Sequence, residues 1–189
     1  LNDYYRNHSP EISAAFEDGE YEFTSKFLLD GWIEVQRKYT FYPGKSFLKV
    51  NIEVKACKDF FCERITVNSC FPAEFLSTPE NGTVKTMKAE KNAWFSVPRN
   101  DKDRFLLYGR VAGTGIAVAG VDASSWKQLP VRILGSMSQE KRFTLEQVFW
   151  AKKEIRSGDK LSYEYFLIPL SAGNPEEAGK MFRSLAGGN

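Results

Sequence analysis

The fold is decided by residues 32–56, which read WIEVQRKYTFYPGKSFLKVNIEVKA. In both halves of this run, apolar and polar residues alternate with a period of two, which only an extended strand converts into one apolar and one polar face. Pro43-Gly44 separates the halves and fits the centre of a type II turn, because proline presets the first φ and glycine accepts a positive second φ. The run therefore predicts a long antiparallel hairpin with strands over residues 32–42 and 47–56.

The alternation of the two strands also allows a cross-strand register to be proposed. If Tyr42 lies opposite Phe47, four further cross-strand pairs follow: Glu34–Lys55, Gln36–Glu53, Val35–Val54 and Arg37–Ile52. Arg37 is then the one charge on the apolar face, where an unpaired guanidinium would be costly. Three explanations remain open: a β-bulge that turns it outward, a position at the end of the sandwich where it reaches water, or a site in which it binds an anionic or hydroxylated ligand.

Aromatic residues are a second anomaly, because Trp32, Tyr42, Phe47 and Trp150 fall on the polar faces of their strands. Rings on such a face can stack on sugars, or they can indicate that a second sheet or a partner covers it. Gln36 shares the polar face of the hairpin with Trp32 and Tyr42. The candidate ligand-binding residues are therefore Trp32, Gln36, Arg37 and Tyr42.

Eight shorter alternating runs follow along the chain and are separated by Pro, Gly, Asn and Asp clusters: 64–67, 83–88, 93–97, 105–111, 115–121, 131–134, 143–150 and 161–168. The polar segment 156–160 leads into the last run, and we expect Pro169 to end it because proline cannot donate to a central ladder. Only residues 175–185 have helical spacing. We predict an all-β fold, an antiparallel β-sandwich with one short C-terminal helix.

Length and composition limit the classes of protein. At 189 residues, 42% of them hydrophobic, the chain predicts a single β-sandwich domain over residues 1–189. A net charge of +2 is too small for sequence-independent nucleic-acid binding, and no apolar run approaches the about 20 residues that span a bilayer. We therefore expect no nucleic-acid partner and no membrane insertion. Leu1 at the start favours a processed chain, a fragment or an accessory domain of a larger protein, so other domains of that parent polypeptide are candidate partners.

Metal and redox chemistry have few candidate residues. Cys57, Cys62 and Cys70 form no CxxC pair, and the one histidine, His8, lies far from them in sequence. A closed zinc site needs four ligands, so we expect no structural metal and no cofactor. Both one disulfide with one thiol and three reduced thiols remain open. The acceptor triplet at Asn81 slightly favours an extracellular or secreted protein.

Several other motifs have simple interpretations. Gly113-Thr114-Gly115 matches no phosphate-binding spacing and is interpreted as a hairpin turn. The acidic segments 17–20 and 100–103 lack the spacing of a calcium loop and are interpreted as solvated turns. Glu34 and Glu53 share a strand face with neighbours that can pair with them, so we interpret them as surface charges of a sheet rather than as the two catalytic carboxylates of a glycosidase.

The quoted run from Trp32 to Val54 resembles the long hairpin of galactose-mutarotase-like supersandwich domains of carbohydrate-active proteins. The segment 154–170, EIRSGDKLSYEYFLIPL, is similar to their final strand entered from a polar glycine turn. The resemblance implies a supersandwich-like fold and an association with carbohydrate. Epimerases of that family rely on histidines and a glutamate, and with His8 as the only histidine their catalytic set does not transfer to this chain.

These observations favour a non-catalytic carbohydrate-binding or accessory β-sandwich domain of a carbohydrate-active protein. A second hypothesis is a structural or protein-interaction domain of an extracellular or cell-surface protein. A third is a polysaccharide-acting lyase or hydrolase in which Arg37 neutralises a uronate carboxylate and Tyr39 transfers a proton. The leading hypothesis has carbohydrate as its partner.

Overall fold

In a computed structural model of the chain, the described residues are 10–72, 75–80, 83–88, 93–96, 106–111, 114–120, 133–138, 142–170 and 180, with side chains described for 10–70, 115–120, 144–170 and 180. Thirteen strands lie in this part of the chain. In chain order they are β1 (Glu11–Glu17), β2 (Glu20–Leu29), β3 (Ile33–Phe41), β4 (Leu48–Ala56), β5 (Phe60–Pro72), β6 (Phe75–Glu80), β7 (Thr83–Lys88), β8 (Ala93–Ser96), β9 (Leu106–Val111), β10 (Thr114–Gly120), β11 (Ile133–Ser138), β12 (Arg142–Ile155) and β13 (Lys160–Leu170).

The described strands form two sheets in which every pairing is antiparallel. The larger sheet has nine strands in the order β1-β2-β3-β4-β13-β10-β9-β6-β7, and the smaller sheet has four in the order β5-β12-β11-β8. Buried side chains from β3, β4 and β13 of the larger sheet and from β5 and β12 of the smaller one form a common core. This arrangement confirms the predicted antiparallel sandwich. No helix among the described residues is long and apolar enough to span a membrane.

The predicted hairpin is confirmed pair by pair. β3 and β4 pair in the predicted register, with Glu34–Lys55, Gln36–Glu53, Val35–Val54 and Arg37–Ile52 opposite each other. At the turn, the Lys45 amide donates to the Tyr42 carbonyl at 3.0 Å. Gly44 has a φ of 76°, which the second central position of a type II turn requires.

β1, β2 and β6 correspond to none of the strands that the sequence predicts. Asp18-Gly19 connects β1 to β2 with φ angles of 51° and 81°, and Asp30-Gly31, with φ angles of 48° and 71°, is followed by Trp32 in the connection from β2 to β3. Two consecutive positive φ angles are the mark of a type I′ turn, whose twist matches that of the flanking strands. The acidic segment 17–20 is thus a turn, as predicted, but one inside a hairpin.

β9 and β10 are antiparallel neighbours with Thr114 opposite Val111, and Thr114 and Gly115 of the predicted turn belong to β10. Gly113 itself lies outside the described residues. In the polar segment that leads into β13, the Asp159 amide donates to the Arg156 carbonyl at 3.0 Å, and Gly158 has a φ of 92°.

Pro169 does not end the last strand, and that prediction was wrong. β13 continues to Leu170, with Pro169 opposite Ile116 of β10. On the other side of β13, pairing with β4 stops at Leu167–Leu48. Proline is tolerated at residue 169 because β4 no longer flanks the strand there.

Trp150 lies in the core and not on a polar face, which corrects a second expectation. The register between β12 and β5 shifts between Val148 and Trp150. A bulge of this kind interrupts the alternation of side chains, and Val148, Phe149 and Trp150 are all buried. The helix predicted over residues 175–185 lies outside the described residues except for Lys180, whose backbone is helical.

The centre of the core lies against β4. Val50, Ile52 and Val54 are each 0% exposed, and burying one such side chain stabilises a fold by about 1.5–3 kcal/mol. Ile52 and Ile12 lie in one row across the larger sheet, because Ile12 pairs with Ser25, Ser25 with Arg37 and Arg37 with Ile52. Ile12 is nevertheless 62% exposed. The two isoleucines therefore lie on the same face of the larger sheet, Ile52 where the smaller sheet covers that face and Ile12 where it does not.

We predict that Ile52→Ala lowers the free energy of unfolding by about 2–5 kcal/mol, because it leaves a cavity between the sheets. The matched variant Ile12→Ala should change it by no more than about 0.5 kcal/mol. Urea denaturation of both variants checks this. Similar losses in the two variants would contradict the described difference in burial between β1 and β4.

Candidate functional site

The inner face of the larger sheet becomes more exposed from its centre towards β1. One row of side chains runs across this face through Ala14, Phe23, Tyr39, Val50 and Tyr165. Within it, Tyr165 is 2% exposed whereas Phe23 is 39% exposed, and every residue of β1 is exposed. The smaller sheet therefore covers β4 and β13 and leaves the inner side of β1 and much of β2 open.

Five aromatic rings occupy the open part of this face, and we call them the aromatic shelf: Phe16, Tyr21, Phe23, Tyr39 and Phe41. The ring centroids of Phe16 and Tyr21 are 4.5 Å apart, and those of Phe23 and Tyr39 are 6.3 Å apart. Phe16, Tyr21 and Phe41 are 60%, 55% and 44% exposed. Contiguous exposed apolar surface of this kind commonly marks a binding site.

The two Asp-Gly turns assemble the shelf from three strands. They set a register in which Phe16 lies opposite Tyr21, Tyr21 opposite Phe41, and Phe23 opposite Tyr39. Residues directly opposite each other in a ladder project from the same face of the sheet. Rings that are far apart in sequence are thereby placed side by side.

Arg37 lies at the inner border of the shelf. The ladder is regular on both sides of it, with Ser25 and Ile52 as neighbours, so the β-bulge considered above is wrong. Its Nη2 donates to the Asn68 carbonyl of β5 at 2.9 Å. Because β5 is the edge strand of the smaller sheet, this contact shows where the covering sheet ends. Arg37 Nε is buried and has no hydrogen-bond partner among the described residues.

Three polar side chains between the sheets lie close to Arg37, and with it they form what we call the inner polar cluster: Arg37, Ser69, Gln147 and Tyr165. Ser69 Oγ and the Tyr165 hydroxyl are 3.2 Å apart. Gln147 is 0% exposed, and its side chain lies beside the Tyr165 hydroxyl and lowers the pKa of that phenol. The cluster is therefore a polar region inside an otherwise apolar core, and part of its hydrogen-bonding capacity is unused.

Burial dominates the ionisation of Tyr165. It raises the pKa of the phenol above its usual value, while the hydrogen bond with Ser69 and the positive charge of Arg37 oppose the rise. The folded protein thus favours the neutral phenol.

Trp32 lies in the turn before β3, at one end of the sandwich. It is 43% exposed. The Phe60 ring meets it edge-on at 6.0 Å, and Lys58 Nζ lies 5.0 Å from its ring centroid. A cation over the ring occupies one of the two faces that a stacked sugar could use.

Tyr42 lies at the opposite end of β3 from Trp32. The strand between them is about 33 Å long at about 3.3 Å per residue. Tyr42 contacts Phe47 at 5.5 Å between centroids, and Phe47 contacts Phe166 at 5.1 Å. Gln36 lies between Lys26 and Glu53 on the polar face, while Arg37 points to the other face. The structure therefore does not bring the four predicted residues together as one site.

Paired charges cover the outer face of β2–β4 and β13. Lys26 Nζ lies 2.8 Å from Glu34 Oε2, and Lys160 Nζ lies 3.4 Å from Glu53 Oε1. The hydrogen bond and the charge of Glu34 raise the pKa of Lys26. Glu34 and Glu53 are thus decoration of a sheet face, as expected, although their partners are not the directly opposite residues of the hairpin.

Phe16, Tyr21 and Phe23 are absent from the residues predicted for the site. A sequence signal for them exists in the two Asp-Gly dipeptides at 18–19 and 30–31, which are the commonest chemistry of two-residue hairpins. Between them, the apolar residues of 21–29 alternate with polar ones in most of the segment. These signals together indicate two further strands before Trp32.

The cysteines are all free thiols, and of the three only Cys70 is exposed. Burial, followed by the charge of Glu63, raises the pKa of the Cys62 thiol. Among the described residues no three His, Cys, Asp or Glu side chains are grouped as metal ligands would be. The expectation of no metal and no cofactor stays a prediction.

In sequence, the chain matches no protein-family model and no curated protein. In structure, it is similar to a GH36 α-galactosidase from Geobacillus stearothermophilus, with a TM-score of 0.58 and 10% identity over 87% of this chain and 26% of that one. A TPR-domain containing protein from Parabacteroides distasonis has a TM-score of 0.57 and 12% identity over 86% of this chain and 34% of that one.

A galactose mutarotase related enzyme from Lactobacillus acidophilus has a TM-score of 0.52 and 10% identity, covering 90% of this chain and 74% of that one. These similarities confirm the resemblance to galactose-mutarotase-like domains at the level of the fold. The chain spans about a third or less of the length of the first two proteins.

We predict that Tyr165→Phe flattens the alkaline limb of the stability profile. In the parent, the raised pKa of Tyr165 contributes stability. This contribution is fully present below the phenol's pKa in the unfolded chain, about 10, and is lost as the pH rises towards its pKa in the folded protein. The variant has no phenol to titrate at this position, so its free energy of unfolding should fall less steeply above about pH 10. Urea denaturation between pH 8 and pH 11 measures both slopes.

The control is Tyr21→Phe, which removes a hydroxyl from a 55% exposed ring. This variant should keep the parent slope. At neutral pH, Tyr165→Phe should cost about 0.5–1.5 kcal/mol for the lost hydrogen bond to Ser69. Equal alkaline slopes in all three proteins would contradict the proposed ionisation of Tyr165.

Proposed function

We propose that this chain is a non-catalytic carbohydrate-binding or accessory domain of a carbohydrate-active protein, and that it binds sugar on the aromatic shelf. The observation that carries the proposal is the set of five adjoining rings on one uncovered face, four of them at least 39% exposed. Flat apolar rings complement the apolar faces of pyranoses, and the two tyrosine hydroxyls can serve sugar hydroxyls as donors and acceptors.

The structural neighbours support a carbohydrate association. The similar structures include an α-galactosidase and a galactose mutarotase related enzyme, both with TM-scores above 0.5. Since this chain covers 26% of the α-galactosidase, an accessory role beside other domains is consistent with the comparison.

The absence of acidic side chains from the shelf supports a binding role over a hydrolytic one. The inward-facing positions of β1, β2 and β3 carry apolar residues, Ser25 and Arg37, but no Asp or Glu. Most glycoside hydrolases need two carboxyl groups flanking the scissile bond. A lyase using Arg37 and Tyr39 remains the enzymatic alternative, because these two residues lie next to each other along the inner face of β3.

The edge strand β1 favours protein interaction as the second candidate function. It lies at the end of the larger sheet and is exposed on both faces. An edge strand offers unpaired backbone groups to a partner strand. In that case the shelf would be covered by protein and would bind no glycan.

We predict that the protein binds at least one glycan on an array, and that Tyr21→Ala and Phe23→Ala each weaken this binding about tenfold, or about 1.4 kcal/mol. Phe61→Ala is the matched control, because Phe61 is a 55% exposed ring on β5, outside the shelf. Trp32→Ala and Tyr42→Ala should bind like the parent, since these rings lie off the shelf. Titration calorimetry with the glycan found gives the affinities, and melting temperatures verify folding.

Loss of binding in Trp32→Ala or Tyr42→Ala, with the shelf variants unaffected, would move the site to the polar face of the hairpin. Binding of no glycan would favour the protein-interaction function. Release of unsaturated products from a polysaccharide, followed by ultraviolet absorbance, would contradict the non-catalytic assignment.

A further inference from the structure

The shelf and the inner polar cluster meet at Arg37, and this residue forms no ion pair with a carboxylate among the described residues. The ion pairs among the described residues lie on other faces, such as Lys26–Glu34 and Lys38–Glu22 on the outer face. The contact that the structure gives Arg37 is with a neutral carbonyl, that of Asn68. A half-buried guanidinium in this situation has lost part of its hydration without gaining a counter-charge.

In the part of the chain that the structure describes, the strands on either side of Arg37 place no acidic side chain on its face. The inward positions of β1–β4 and β13 carry no Asp or Glu in the described ladder. On the covering sheet, the inward neighbours Val67, Ser69 and Gln147 are uncharged. An anion that approached over the shelf would therefore meet attraction from Arg37 and no repulsion from a nearby carboxylate on this face.

Among the described residues, one hydrogen bond engages the guanidinium of Arg37. A guanidinium has five N–H donors, and the structure shows one of them bonded, from Nη2 to Asn68. Nε has no partner among the described residues. Donors left in this state favour a ligand group that accepts several hydrogen bonds at once, and a carboxylate is such a group.

The spacing between Arg37 and the rings fits a sugar that carries a carboxylate. Tyr39 follows Arg37 on the same face, about 6.6 Å further along β3. Phe23 lies directly opposite Tyr39. A pyranose stacked on Tyr39 and Phe23 would direct a ring carboxylate towards Arg37, within the reach of one side chain.

We infer that the aromatic shelf selects acidic sugars, with Arg37 binding the carboxylate of a uronic acid whose ring stacks on Phe23 and Tyr39. This inference rests on the proposed carbohydrate-binding function and names its ligand class. The specificity arises because a neutral sugar leaves the charge of Arg37 uncompensated, whereas a uronate neutralises it.

The test compares three oligosaccharides of one length and linkage: an oligogalacturonate, its methyl ester and the corresponding oligogalactoside. The parent protein should bind the oligogalacturonate at least tenfold more tightly than the other two, and this preference should shrink as ionic strength rises. Titration calorimetry at low and high salt measures both effects.

Arg37→Gln should abolish the preference by lowering the affinity for the oligogalacturonate to that for the ester, because glutamine can still donate to Asn68 but carries no charge. Lys38→Gln is the matched control, since it removes the same charge one residue away on the opposite face. It should keep the full preference. If the melting temperature of Arg37→Gln is far below that of the parent, Arg37→Lys is used in its place. We expect this variant to retain a reduced, salt-sensitive preference for the oligogalacturonate.

The outcomes distinguish a failure of the acidic-sugar inference from a failure of the proposed carbohydrate binding. Equal binding of acidic and neutral oligosaccharides by the parent overturns the inference and leaves carbohydrate binding intact. A preference that survives in Arg37→Gln, or disappears in Lys38→Gln, assigns the selectivity to other residues and also overturns it. If neither these three probes nor any glycan on the array binds to the parent, carbohydrate binding itself fails.

Discussion

Packing of a four-stranded sheet against a nine-stranded one is the constraint on which the rest of this structure depends. Side chains on β4 and β13 lose water because β5 and β12 lie over them, and Val50, Ile52 and Val54 become fully buried. The covering sheet ends at β5, so the inner face continues beyond it into β2 and β1 without a cover. The same alternation of side chains therefore builds a core on one side of this boundary and an exposed aromatic surface on the other.

Arg37 lies where these two environments meet. Further towards β4 its charge would be surrounded by apolar side chains, and further towards β1 it would be hydrated like any surface arginine. At the boundary it is half-buried, bonds to the open edge of β5 and influences the buried phenol of Tyr165. This intermediate position explains how a charge can occupy an inward position of β3 without a bulge, and it places a cation beside the rings of the shelf.

Local patterns predicted much of the strand content because turn chemistry and alternation act over a few residues. The β3–β4 register, predicted from the turn at Pro43-Gly44 together with the alternation of the two strands, is correct at every predicted pair. Errors occurred where a neighbouring strand decides the outcome. Pro169 continues β13 because β4 has already ended beside it, and Trp150 is buried because β12 contains a bulge. In the candidate site, sequence reasoning singled out Arg37 by its charge but missed the rings of β1 and β2.

The sequence by itself determined the period of two, the positions of most turns, the place of Arg37 in the apolar register of its strand and the scarcity of histidine. Each of these depends on residues that are close together in the chain. Only the tertiary structure decided that Phe16, Tyr21, Phe23, Tyr39 and Phe41 form one exposed surface while Val50 and Tyr165, in the same row as Phe23, are buried. The physical reason is that exposure of a strand face depends on where a second sheet ends above it, and the edge of that sheet is supplied by β5, distant in sequence from β1 and β2.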